Sequence, residues 1–144
     1  MTAYMPPSKT DDWATPQALF DKLNAYHQFD LDAAASSTNH KVDRWLGLDH
    51  PQIERRDALA CDWDGERVWL NPPYGRVLNL WVAKAANHVH RNKAEVVLLL
   101  PALTDTRWFH DYCINHAVEF IKGRVKFGDG KASAPFPSMI VRMK

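Results

Sequence analysis

Long apolar runs are absent from this 144-residue chain, and cysteine is nearly so. No stretch approaches the roughly 18 residues of a membrane-spanning helix, so membrane partners are not expected. Met1 to Thr10 lacks the apolar segment of a secretory signal and holds Pro6, Pro7 and Ser8; it reads as a loose arm. Cys61 and Cys113 stand far apart and form no CxxC pair, which points to free thiols in a reducing, cytoplasmic setting. Net charge is nearly absent too, at +1, but that balance hides an asymmetry. Residues 1–66 carry 6 basic and 12 acidic side chains, whereas residues 67–144 carry 12 basic and 5 acidic. The second half is therefore the part suited to a polyanion, unless folding intermixes the two. Repeats and low-complexity tracts are missing, and the seven histidines form no metal signature. His88 and His90, two apart on a predicted helix, do not share a face, so no metal is expected.

What is present is 46% hydrophobic residues with six tryptophans and six phenylalanines, enough for the core of one domain over residues 11–144. Thr15-Pro16 predicts a helix start, the hydroxyl as N-cap and the proline at the first helical position. Leu19, Phe20, Leu23 and Tyr26 give that helix an apolar face. Residues 28–35 read as a short strand running into a small-residue turn. Residues 39–66 lack periodicity and predict loops with one short helix or strand. "RVWL" (67–70) predicts a strand, and Val77, Leu78, Trp81, Val82, Ala85 and Val89 predict a helix over 77–91. "EVVLLLP" (95–101) is apolar without alternation, the mark of a strand covered on both faces. Strand, helix, strand makes a parallel βαβ unit. Thr104 or Asp105 is expected to cap a further helix carrying Trp108, Tyr112 and Cys113. Residues 118–127 and 137–143 predict a closing antiparallel pair around "GDGK". The fold class is α/β, with a mostly parallel sheet.

"NPPY", residues 71–74, follows a predicted core strand directly. In an open α/β sheet, ligands sit outside the carboxyl ends of the strands, which is where this tetrapeptide falls. Pro72 and Pro73 have no N–H to donate and hold φ near −65°, so the turn is stiff. It can aim the Asn71 amide oxygen and a backbone carbonyl at one point. Two converging acceptors suit an amino group with two hydrogens, and accepting both frees the nitrogen lone pair for attack. Tyr74 adds a flat face for a ring. The plainer alternative is a Pro-Pro turn that merely ends a strand. With proline near 5% of residues, the exact string should arise by chance in fewer than about one in a thousand such chains.

Asn-Pro-Pro-Tyr resembles the catalytic motif of amino-methyltransferases that use S-adenosylmethionine. More specifically, the chain resembles the short phage-type DNA N6-adenine methyltransferases, a Dam-like family. The resemblance runs from about Asp11 to Val141, through "DDWATPQALFDKLN", "DLDAAAS", "CDWDGERVWLNPPYG", "LLLPALTDTRWFHDY" and "GRVKF…SAPFPSMIV". It implies a small Rossmann-like methyltransferase domain and the cytoplasm of a bacterial host, encoded by a phage or prophage. It implies that Asn71 and the Pro72 carbonyl hold the target amine, with Pro73 in the same turn, while Tyr74 stacks on an adenine flipped out of duplex DNA. On the cofactor side it implies that Asp32 holds the ammonium of S-adenosylmethionine beside Ala33, Ala34 and Ala35. The wider methyltransferase pattern has glycines in that turn, and this chain has none. Trp13, Thr15 and Pro16 match the block that closes over the methionine end, and Asp62 and Trp63 the pair near the cofactor's adenine. Asp43 and Asp49 remain alternatives for the ribose hydroxyls.

Arg107, Arg124, Lys126 and Lys131 are candidates for DNA phosphates. A separate target-recognition domain of ordinary size does not fit, so low or short sequence specificity is expected. The alternatives are an amino-methyltransferase acting on RNA or a protein glutamine, and a catalytically inactive module that kept the fold.

Overall fold

The computed structural model describes residues 14–128 and 133–144. The expected arm at Met1–Thr10, Trp13, and Lys131 with most of the GDGK turn lie outside the described residues.

Five strands form one mixed sheet: β1 (Leu31–Asp32), β2 (Arg67–Leu70), β3 (Glu95–Pro101), β4 (Ala117–Phe120) and β5 (Ser138–Met143). Their order is β1-β2-β3-β5-β4. The first three are parallel neighbours, and β5 runs antiparallel to both β3 and β4. Helix α1 (Gln17–His27) precedes β1, and α2 (Leu78–Asn92) links β2 to β3 as the expected βαβ unit. Both central strands match the sequence expectation residue for residue, because their apolar side chains alternate between two covered faces. Val68, Leu70, Val96, Leu98 and Leu100 meet Leu78, Trp81, Val82 and Ala85 of α2. Trp69, Val97, Leu99 and Ile140 meet Phe20 and Leu23 of α1 on the other face. The result is an α/β domain in three layers.

The structure corrects several local expectations. Pro16 is the N-cap of α1 and Gln17 its first residue, and no side chain caps the helix. The Thr15 hydroxyl is buried and engaged elsewhere. Tyr26 is 83% exposed. At about 100° per residue it lies roughly a quarter-turn from the stripe centred on Phe20 and Leu23. Strand β1 is two residues long, although Asp30 N–H and Ala33 N–H still donate to Arg67 and Trp69 of β2.

Between residues 39 and 66 one 3-10 turn, Ile53–Arg55, forms, and Trp45 makes an isolated parallel bridge to Asp32. The helix after β3 is short, with a π turn at Phe109–Cys113. Its start is held by Thr106 instead of Thr104 or Asp105: the Thr106 hydroxyl accepts from Phe109 N–H.

The strand expected over 118–127 ends at Phe120. Gly123, at φ +77°, turns the chain away from the sheet in a conformation that L side chains rarely adopt. Val125, Phe127, Ala134 and Phe136 then pack over the α1 face. Their alternation with exposed Arg124 and Lys126 imitates a strand in sequence. Ala134 N–H donates to the Val125 carbonyl and ties the two limbs of this loop together.

Candidate active site

The carboxyl ends of the three parallel strands bring the sequence candidates to one edge. Asn71 follows β2, Ala33 to Ala35 follow β1, and Arg107 comes after β3, exposed at the first residue of the short helix. Pro72 is buried and Pro73 exposed. Gly75, at φ +124°, turns the chain into α2, and Leu78 N–H donates to its carbonyl.

Asn71 is held at both ends of its amide. Its Nδ2 donates to Thr15 Oγ1 at 3.0 Å. Its Oδ1 lies 3.2 Å from the Tyr74 hydroxyl, which lies 3.1 Å from the Leu99 carbonyl of β3. The hydroxyl has one hydrogen for two acceptors. Burial pushes the Tyr74 phenol far above its ordinary range, so it remains a donor at any physiological pH. The Tyr74 ring meets Phe136 at 5.4 Å and Phe127 at 6.2 Å, both near perpendicular. Such edge-to-face packing fixes the ring plane. Gly128 N–H donates to the Ala14 carbonyl. The segment at residues 14–15 therefore bonds both to the loop carrying Phe127 and to the Asn71 turn.

On the cofactor side, Asp32 is 3% exposed. Its Oδ2 accepts from Lys41 N–H at 2.9 Å and its Oδ1 from Ala34 N–H at 3.3 Å. Among the described residues it forms no salt bridge. Desolvation by burial raises its pKa to about 6, outweighing the two amide hydrogen bonds that lower it. Ala33 N–H and Ala35 N–H bond to Trp69 and Leu46, so the turn is fixed by backbone on both sides. The glycine lacking in the turn stands opposite it: a Cβ on Gly47 would fall 2.0 Å from the Ala35 carbonyl oxygen. Sequence reading passed over Gly47, because the contact joins residues twelve apart in an irregular segment.

The remaining candidates are distributed differently. Asp49 accepts from the Ser37 backbone and hydroxyl and closes the segment after β1; the Ser37 hydroxyl bond lowers its pKa. Asp43 is exposed. Trp63 is core: its Nε1 donates to the Ala58 carbonyl at 2.8 Å and its ring lies 5.6 Å from His88. Asp62 beside it is exposed. Arg124 reaches the Ala134 carbonyl at 3.5 Å, and Lys126 is exposed on the same loop.

His88 is buried, its ring nitrogens 2.8 Å from the Gly65 carbonyl and 2.9 Å from the Asn92 amide nitrogen, while His90 is exposed. Among the described residues no group of three or more His, Cys, Asp or Glu could hold a metal, and no helix is long and apolar enough to cross a membrane.

Sequence reading missed Thr15 as a partner of Asn71, and Phe127 and Phe136 as neighbours of Tyr74. Only the apolar alternation of residues 125–127 signalled a packed segment there.

The family described as DNA N-6-adenine-methyltransferase (Dam) matches residues 2–140. A DNA N-6-adenine-methyltransferase of Haemophilus phage HP1 is 34% identical over 116 residues, covering 79% of this chain and 62% of the relative. One from Escherichia phage T1 is 35% identical over 107 residues, covering 72% of this chain and 41% of the relative. The chain thus spans less than two thirds of the length of either relative. With its matched blocks running from one end of the sheet to the other, the chain belongs to the DNA N-6-adenine-methyltransferase (Dam) family.

Proposed function

We propose that this protein transfers a methyl group to the N6 amine of adenine in DNA, with S-adenosylmethionine as donor and low or short sequence specificity. The observation that carries the proposal is the Asn71 amide oxygen at the carboxyl edge of the sheet, shared with a tyrosine hydroxyl that has a second acceptor. When an exocyclic amine arrives, the Tyr74 hydrogen turns to the Leu99 carbonyl. The Asn71 oxygen then accepts from the amine, and the Pro72 carbonyl takes its other hydrogen. Both hydrogen bonds draw the nitrogen lone pair out of ring conjugation. Tyr74, braced by Phe127 and Phe136, presents its ring to the base. Flipping adenine from the duplex costs a few kcal/mol, which Arg107, Arg124, Lys126 and Lys131 offset by holding phosphates.

The residues present fit the methyl donor. Asp32 is a buried carboxylate without a salt-bridge partner among the described residues, suited to the donor's ammonium. The small side chains of Ala33 and Ala34, and Gly47 against Ala35, leave backbone open to close approach. Pro16 and Trp13 would flank the methionine end and Asp62 the adenine end, whereas the Thr15 hydroxyl is turned to Asn71. Trp63, whose indole N–H is bonded inside the core, would support that wall from behind. When bound, the donor supplies a sulfonium-activated methyl group. Three parallel strands with helices on both faces support reading the domain as Rossmann-like, and the family relatives support the cytoplasm of a phage-bearing host.

The test is transfer of a tritiated methyl group from S-adenosylmethionine to unmethylated DNA, with nucleoside analysis of the product, beside RNA and protein acceptors. N6-methyladenosine appearing as its deoxynucleoside is the expected outcome. Label in RNA or protein alone, or none, would overturn the proposal.

A further inference from the structure

An asparagine amide has a donor end and an acceptor end of nearly equal size. An amine substrate is held only by the oxygen, so a turned amide would present N–H to N–H. The amide must therefore be held with its oxygen toward the substrate. Thr15 lies 56 residues earlier, is 4% exposed, and accepts from Asn71 Nδ2 at 3.0 Å. Its placement is itself determined: Phe20 N–H donates to the Pro16 carbonyl at the helix start, and Ala14 accepts from Gly128 N–H. With the nitrogen end turned to Thr15, the oxygen end is turned to Tyr74, where the convergent carbonyls of Asn71 and Leu99 both face one hydroxyl hydrogen.

The geometry points to Thr15 as a positioning residue for catalysis: a hydroxyl can donate or accept, so it does not itself choose the end of the amide, but its contact with Nδ2 pins the Asn71 amide and keeps the oxygen beside Tyr74 in place for the target amine. This goes beyond a helix-cap or cofactor role, and it rests on the proposed adenine N6 chemistry. The helix N-cap is Pro16 and bears no side-chain cap, so the hydroxyl is not explained by the helix.

Thr15→Val keeps the shape and removes the oxygen; Thr15→Ser keeps the oxygen. One neutral hydrogen bond corresponds to about a three- to tenfold effect. With saturating donor and DNA, Thr15→Val should lower kcat by about that factor while the donor's Kd changes less than about twofold, and Thr15→Ser should recover most of the loss. A second readout does not require turnover. The Asn71 side-chain NH2 signals, assigned by their loss in Asn71→Asp, should shift and exchange faster with solvent in Thr15→Val than in wild type. A raised Kd with unchanged kcat would assign Thr15 to the donor and overturn the inference. Unchanged NH2 signals, or a Thr15→Ser variant as impaired as Thr15→Val, would overturn it too. If the wild-type protein methylates no adenine, the proposed function fails, whereas the NH2 signals still decide whether Thr15 orients Asn71.

Discussion

Replacing Asp32 by asparagine should make the unliganded protein more stable and its donor binding much weaker. The carboxylate is buried with two amide hydrogen bonds and no salt bridge among the described residues, and its pKa stands near 6 against 3.8 when unperturbed. Because the folded pKa is raised, the folded state binds the proton more tightly than the unfolded chain does. Below about pH 3.8 the group is protonated in both states and has no effect on stability. Between about 3.8 and 6 stability falls as pH rises, and above 6 the full loss of about 3 kcal/mol persists.

Asparagine carries no charge, but its nitrogen cannot accept the amide bond from Lys41 or Ala34, a loss of about 1–2 kcal/mol. The net gain at pH 7.5 is then about 1–2 kcal/mol, or a rise of roughly 3–6 °C in Tm. At pH 4 the sign reverses, since only the lost hydrogen bond remains. The pH dependence of the difference between variant and wild type isolates Asp32 from Asp64, whose lowered pKa acts in the opposite direction. For the donor, losing a charge-assisted hydrogen bond weakens Kd about ten- to a hundredfold. Wild-type affinity should itself decline as pH falls through 6. Thermal melts across pH 4–8 and calorimetric titration of the donor are the assays. An Asp32→Asn protein that melts lower than wild type at pH 7.5 and binds the donor normally would refute the reasoning.

Other perturbations test other parts of the site. Asn71→Ala should abolish methyl transfer while leaving donor affinity within a few-fold, and near-normal turnover in a tritium assay would remove Asn71 from the mechanism. Gly47→Ala sets a methyl 2.0 Å from the Ala35 carbonyl and should destabilise by about 2 kcal/mol or more and impair donor binding together. An unchanged urea midpoint would mean that the wall opposite Ala35 yields. Arg124→Ala and Lys126→Ala should each reduce the slope of log DNA affinity against log salt by about one unit and weaken all sequences alike. A changed sequence preference would assign them to base contacts.

Some of this was legible in the sequence because local pattern and environment agree there. Strands β2 and β3 are apolar on both faces and are in fact covered on both, and Asn-Pro-Pro-Tyr stops a strand for reasons internal to proline. Helix α2 was legible to within one residue, since its apolar stripe faces one layer. Residues 121–127 misled because alternation arises wherever an extended chain lies against a core, with or without a ladder partner. Thr15 misled differently: a hydroxyl before proline satisfies a capping rule locally, and nothing nearby reveals an asparagine 56 positions on. Asp32 was legible as the residue ending the first strand; its depth of burial was not, because it depends on Trp45 and Lys41 in the aperiodic segment. Trp63 shows that aromatic residues near a motif do not declare which side of the sheet they serve.

Strand β5 comes after the other four in sequence, yet it lies between β3 and β4 in the sheet. As the polypeptide emerges from a ribosome, β4 therefore arrives with no neighbour to join, and β3 keeps one row of amides and carbonyls open. Residues Ser138–Met143 insert into a waiting slot and satisfy both at once. Until then an unpaired, strongly apolar edge is exposed, the kind of surface through which nascent chains associate wrongly. Prompt synthesis through residue 143, or a chaperone over that edge, thus belongs to the physical conditions for forming this sheet. Any truncation before Ser138 removes the keystone of the sheet and not a tail.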